Sequence, residues 1–249
     1  MLLVDRVDVR AEPLSPDERR TWPFSVPAIG RLARDGLAFT APVTFLVGEN
    51  GSGKSTIIEA IADACGINSR GGKAGTKYAS TGEPTPLGAA LHADLTLAGS
   101  RVVRGPRRHR KGFFLRAETL FDLGQNVSGR YGFWETDLDE QSHGESFFTV
   151  IGTMLREPGL YLLDEPEAAL SFLSCLRLVD AFHQLGESGA QIICATHSPI
   201  LAATPGADIV QLDDDGFHNE TWDRLAIVDH WRRFLTRPDA YLRHLVNHD

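Results

Sequence analysis

The sequence predicts an α/β fold built around a parallel sheet, and three observations carry that prediction. The short apolar runs at 160–163 and 191–195 read as strands buried on both faces, as strands of a parallel sheet are. The amphipathic run 170–185 lies between them and reads as the crossover helix that parallel strands require. Upstream, the strand pattern at 37–47 runs straight into a glycine-rich segment and then into a helical pattern.

Taken in order, residues 2–10 alternate as a first strand and 37–47 read as a second. From Lys54 the chain places Ile57, Ile58, Ile61 and Ala62 on one helical face and stops at Gly66. Residues 68–86 are rich in Gly, Ser, Thr and Lys and read as a long loop, basic through Arg70, Lys73 and Lys77. The runs 91–97, 101–104 and 112–116 then read as short antiparallel strands, and 119–157 as helical with a loop at 128–132. Further on, 209–212 and 217–222 resemble a hairpin around 213–216, and 225–247 read as two closing helices broken at Pro238. The expected organisation is a single domain over 1–249, with an inserted lobe over about 68–157 that supplies a small antiparallel β lobe and a short helical insert.

Hydrophobic residues at 42% and charged residues at 23% fit an ordinary globular chain and exclude a disordered or fibrous one. No apolar run approaches the roughly 20 residues that span a bilayer, and the N-terminus reads as a strand rather than a cleavable signal. A membrane role would therefore need the span of another chain. Cys65, Cys175 and Cys194 are odd in number and lack metal-ligand spacing, so they read as reduced, mostly buried thiols of a cytoplasmic protein. The net charge of −8 argues against indiscriminate coating of nucleic acid. Yet Arg101, Arg104, Arg107, Arg108, Arg110, Lys111 and Arg116 are concentrated in one stretch. Two readings of the segment 101–111 stand: a solvated hairpin turning at Gly105-Pro106, or a patch for a nucleic-acid backbone or an acidic partner.

The chemistry is concentrated at three strand ends. Gly48-Glu49-Asn50-Gly51-Ser52-Gly53-Lys54-Ser55 is a complete P-loop, in which glycines let successive backbone N–H groups face a phosphate chain at a helix N-terminus. Lys54 is expected on the β and γ phosphates and the Ser55 hydroxyl on magnesium, with Thr56 completing the ATP-binding segment. The strand 160–163 ends in Asp164 and Glu165, which delivers two carboxylates to the sheet edge where ligands bind. Asp164 is expected to hold Mg2+ through water, and Glu165 to orient and deprotonate the attacking water. Ala195-Thr196-His197-Ser198-Pro199 reaches the same edge, where His197 would contact the γ phosphate. Trp22 or Phe24 either stacks on adenine or simply packs in the core.

The order of P-loop, Gln141-Ser142-His143-Gly144-Glu145, Asp-Glu-Pro and Thr-His-Ser resembles the ABC class of P-loop ATPases over most of the chain. The stretches WPFSVPAI, FFLRAE, QSHGES, LYLLDEPEAALS and ATHSPIL are similar to a group of small predicted bacterial ATPases, related to the chromosome-maintenance and recombination branch. The resemblance implies that Ser142, His143, Gly144 and Glu145 form the class signature, which binds the γ phosphate held by the opposite subunit. His143 replaces the usual glycine there and Gln141 the usual leucine. The class also carries a magnesium-contacting glutamine, for which Glu118 has the right placement and Gln125 is the alternative; Glu118 could instead pair with Arg116 or Arg101. Ser171 stands where the class carries the aspartate of its dimer-contacting loop.

These observations lead to an expected Mg2+-dependent ATPase that dimerises head to tail on ATP, in the form of a soluble stand-alone enzyme. Two alternatives stay open: the nucleotide-binding subunit of a membrane transporter, and a repair or recombination ATPase acting on nucleic acid. The interval from Ser55 to Ser142 leaves no room for a long coiled-coil arm.

Overall fold

The structure, a computed structural model, describes residues 1–9, 15, 17–69, 71–73, 83–106, 110–116, 158–168 and 170–246. In chain order the strands are β1 (Val4–Val9), β2 (Leu37–Ala38), β3 (Val43–Gly48), β4 (Gly72–Lys73), β5 (Leu91–Leu95), β6 (Gly112–Arg116), β7 (Leu160–Asp164), β8 (Gln191–Thr196), β9 (Asp208–Asp213) and β10 (Gly216–Asn219). The α-helices are α1 (Pro27–Asp35), α2 (Lys54–Ala64), α3 (Pro86–Ala90), α4 (Leu97–Val103), α5 (Phe172–Glu187), α6 (Ala226–Thr236) and α7 (Pro238–Val246).

The main sheet has the order β10-β9-β3-β8-β7-β6-β4. Its centre, β9-β3-β8-β7-β6, is parallel, and β10 and β4 run antiparallel at the two edges. The strands β3, β7 and β8 are apolar almost throughout because successive side chains enter two different cores. Leu46, Leu162, Ile193 and Ala195 face the core under α1 and α2 with Ile57, Ile58 and Ile61. Phe45, Val47, Tyr161, Leu163, Ile192 and Cys194 face the other, with Leu178 and Phe182 of α5. Cys65, Cys175 and Cys194 are free and buried, as expected.

A smaller antiparallel sheet, β2-β1-β5, completes the fold. Its tie to the main sheet is Gln191, fully buried at the start of β8. Its Oε1 accepts from the amides of Leu3 and Val4 at 2.8 and 2.7 Å, and its Nε2 donates to the Val4 carbonyl at 2.9 Å.

The structure corrects several sequence expectations. The run 37–47 is two strands, because β2 pairs with β1 in the small sheet while β3 pairs with β8 and β9 in the main one. The run 101–104 lies at the end of helix α4, whose N-cap Thr96 accepts from the Gly99 amide at 2.9 Å; a Cβ on Gly99 would lie 1.8 Å from the Leu3 carbonyl. The run 112–116 is no partner in a hairpin turning at Gly105-Pro106, since β6 lies parallel to β7 in the main sheet. The small antiparallel lobe exists, but it consists of β1, β2 and β5. Within 68–157, β4 and β6 belong to the main sheet and β5 to the smaller one, so the described parts of that segment are shared between both. The helical expectation for 119–157 lies outside the described residues.

Candidate functional site

The C-terminal ends of β3, β7 and β8 converge because the three strands are parallel neighbours. The P-loop leaves β3 at Gly48, where a Cβ would lie 2.5 Å from the Leu212 carbonyl, so only glycine lets the loop rise past β9. It enters α2 through Gly53, left-handed at φ 100°, which aims the first helical N–H groups into the loop.

Lys54 is almost fully buried and folds back over the loop. Its Nζ donates to the carbonyls of Gly48 at 2.8 Å and Glu49 at 2.9 Å. Burial pushes its ammonium below the ordinary lysine range, against the opposing pull of Glu165, Asp164, Glu167 and Glu49. A buried cation whose hydrogen bonds, among the described residues, go to backbone carbonyls is suited to a polyphosphate.

The Ser55 hydroxyl donates to Asp164 Oδ1 at 2.8 Å. Burial raises the Asp164 carboxyl above the usual range, and the Ser55 hydrogen bond and the Arg116 charge oppose that rise. Among the described residues no cluster of three or more His, Cys, Asp or Glu could enclose a metal ion. Ser55 and Asp164 are the residues that could hold Mg2+, which usually takes one or two protein ligands and completes its shell with phosphate oxygens and water.

Glu165 is next, and its φ of 49° is the only positive value among the described non-glycine residues. Strain of this kind collects at functional sites. Its carboxylate Oε1 lies 3.1 Å from His197 Nε2, which joins the two residues read from sequence as base and phosphate contact.

Sequence reasoning missed two participants. Glu167 Oε1 accepts from the Thr196 hydroxyl at 2.6 Å and from the His197 amide at 2.7 Å. Burial raises its carboxyl, opposed by those hydrogen bonds. Arg116, at the end of β6 and in register with Asp164, pairs with Glu59 of α2 at 2.6 Å and lies 3.5 Å from Asp164 Oδ2. The parallel register of β6 would have placed Arg116 here, but a hairpin reading turns it to solvent.

The other expected residues are placed less directly. A cavity of about 440 Å3 beside the P-loop is lined by Glu49, Asn50, Gly51, Ser52 and His197, together with Pro27, Asp213 and His230. Trp22 is 64% exposed, and Phe24 is half-buried against the core under α1; neither lines that cavity. Ser171 caps α5, accepting from the Ser174 amide. Glu118, Gln125, Ser142, His143, Gly144 and Glu145 lie outside the described residues, as do Arg107 and Arg108. Of the rest of the basic stretch, Arg101, Arg104 and Lys111 are exposed, and Arg110 donates to the Gly105 carbonyl.

This fold and site define a P-loop nucleotide-binding domain, and comparison with known proteins places it more closely. Family profiles described as AAA domains match residues 33–102 and 135–203, the second description also naming the AbiEii toxin of a type IV toxin–antitoxin system. The chain is 29% identical over 230 residues to the arabinose import ATP-binding protein AraG of Chromohalobacter salexigens, covering 83% of this chain and 45% of that protein. It is 31% identical over 172 residues to the aliphatic sulfonates import ATP-binding protein SsuB 2 of Mesorhizobium japonicum, covering 66% of this chain and 60% of that one. A solved ABC transporter in an inward-facing conformation shares the fold, with a TM-score of 0.51 at 12% identity, covering 95% of this chain and 90% of that chain. The chain is therefore similar to P-loop ATPase domains of the AAA/ABC type over most of its length. It spans under half the length of the first curated relatives it matches.

Proposed function

We propose that this chain binds ATP with Mg2+ at Gly48 to Thr56 and hydrolyses it. The observation that carries this reading is the convergence of Lys54, the Ser55–Asp164 pair and the Glu165–His197 pair at one sheet edge. Bound ATP gives Lys54 phosphate oxygens in exchange for the Gly48 and Glu49 carbonyls, and the α2 amides receive the same phosphates. Ser55 and Asp164 would hold Mg2+, whose charge would offset that of the phosphates when it is bound. Glu165 accepts a proton from the attacking water, while His197 holds the γ phosphate in line.

In this reading the segment Ser142 to Glu145 acts on ATP bound to a second copy, so that ATP draws two chains together head to tail. Glu118 faces the metal, Trp22 or Phe24 contacts adenine, and residues 1–249 work as one ATPase unit. The chain works as a stand-alone ATPase in the cytoplasm, a compartment that the free, buried cysteines support. A second reading, the nucleotide-binding subunit of a transporter, is favoured by the import roles in the names of the relatives. Among the described residues no helix is long and apolar enough to cross a membrane, so that role requires a separate spanning partner.

Glu165→Gln tests the reading. It should keep ATP affinity and lose hydrolysis by on the order of 10²-fold or more. Hydrolysis at the parental rate would assign the base to another group. Trapped with ATP, the same variant separates the two readings: a stand-alone enzyme stays in the soluble fraction, whereas a transporter subunit sediments with membranes.

A further inference from the structure

We propose that Glu167 is a positioning residue that fixes the His197 loop to the loop carrying Glu165. The inference rests on the role given above to His197. The two loops leave neighbouring strands, and among the described residues backbone bonding joins the loops at their roots, where the Glu165 amide donates to the Ala195 carbonyl at 2.9 Å. Beyond that point Glu167 reaches across. One oxygen, Oε1, receives both the Thr196 hydroxyl at 2.6 Å and the His197 amide at 2.7 Å. Thr196 Oγ in turn accepts from the Ser198 amide at 2.9 Å, so a single carboxylate organises the backbone on both sides of His197. Bonds of this length to one carboxylate oxygen are short and directional.

The same geometry separates Glu167 from the proton-accepting role of Glu165. Its Oε1 already holds two donors, and its Oε2 is buried without a hydrogen bond among the described residues. Glu165 is the carboxylate that meets the imidazole, at 3.1 Å from Nε2. Glu167 sets where that imidazole stands.

The test compares kcat and ATP affinity in Glu167→Ala, Glu167→Gln, His197→Ala and the double variant Glu167→Ala/His197→Ala. Glu167→Ala should lower kcat by on the order of 10- to 10²-fold, the scale of a misplaced catalytic group, and leave ATP affinity unchanged. Glu167→Gln keeps an acceptor at Oε1 and should restore most of kcat. The double variant should be no slower than His197→Ala, because the two residues act through one group. A parental kcat in Glu167→Ala beside a slow His197→Ala overturns the proposal and leaves the role of His197 standing. Losses that multiply in the double variant, or a Glu167→Gln as slow as Glu167→Ala, also overturn it. A parental kcat in His197→Ala overturns both the role of His197 and the proposal. Should Glu167→Ala not fold, Thr196→Val removes one donor at nearly constant volume: kcat then falls at unchanged ATP affinity, and a parental kcat overturns the proposal.

Discussion

Asp164, Glu165 and Glu167 lie within four consecutive positions, and burial holds the first and third above the ordinary carboxylate range. A carboxyl whose folded value is raised binds its proton more tightly in the folded state, so stability falls as pH rises through the interval between the unfolded and folded values. For Glu167 that interval starts at the ordinary 4.5 and extends upward. Glu167→Gln should therefore melt higher than the parent at about pH 8, and the difference should shrink as pH falls toward the ordinary glutamate value. Melting curves across that range check it; a lower melting temperature at every pH would contradict the direction. Arg116 works the opposite way, as the cation that offsets this crowding. Arg116→Ala leaves Glu59 and Asp164 without their shared partner and should cost about 1–3 kcal/mol in urea unfolding. A cost near zero would show the pair to be a surface ion pair of little weight.

Helix α4 carries the clearest test at the scale of elements. Gly99→Ala places a methyl against the Leu3 carbonyl, so α4 must lift from the start of β1, at about 1–3 kcal/mol by the usual cost of overpacking. If 101–104 were a strand remote from Leu3, the change would be nearly neutral. The central strands β7 and β8 were legible because burial on both faces leaves an uninterrupted apolar run that few other elements imitate. The segment 101–104 was not, because the β-branched Val102 and Val103 favour a strand locally; the Thr96 cap and the close approach at Gly99 overrule that local preference. Residues 37–47 misled for another reason. Strand-forming residues continue through them while the pairing partner changes from β1 to β8 and β9, and strand pattern alone does not identify a partner.

The P-loop, Asp164, Glu165 and His197 were legible because each follows a strand whose end the parallel topology fixes. Glu167 and Arg116 act across strands, through a register that only the folded sheet supplies. The loss of the hairpin also reshapes the nucleic-acid question. Arg101, Arg104 and Lys111 are exposed on α4 and the connection to β6. If they contact a phosphate backbone, replacing all three with Ser should flatten the salt dependence of DNA binding by about one unit per lost contact. An unchanged slope, or no DNA binding by the parent at low salt, would remove this patch from the account.

At the scale of the molecule, the proposed head-to-tail pair predicts complementation between variants that are inactive alone. Lys54→Ala and Ser142→Arg each damage a different half of a shared site, and a mixed pair rebuilds one intact site. With random exchange before ATP is added, about a quarter of parental activity should return if the two sites act independently. Silence in a mixture shown to contain heterodimers would contradict a signature acting across subunits. All of this depends on the nucleotide site itself. The most direct measurement of that site is phosphate release from ATP with Mg2+ by the purified chain and by Lys54→Ala. The account predicts turnover by the parent and background release by Lys54→Ala, because the phosphates lose the buried ammonium that now rests on Gly48 and Glu49. Equal release by the two proteins, or none by a parent that binds ATP, would contradict it.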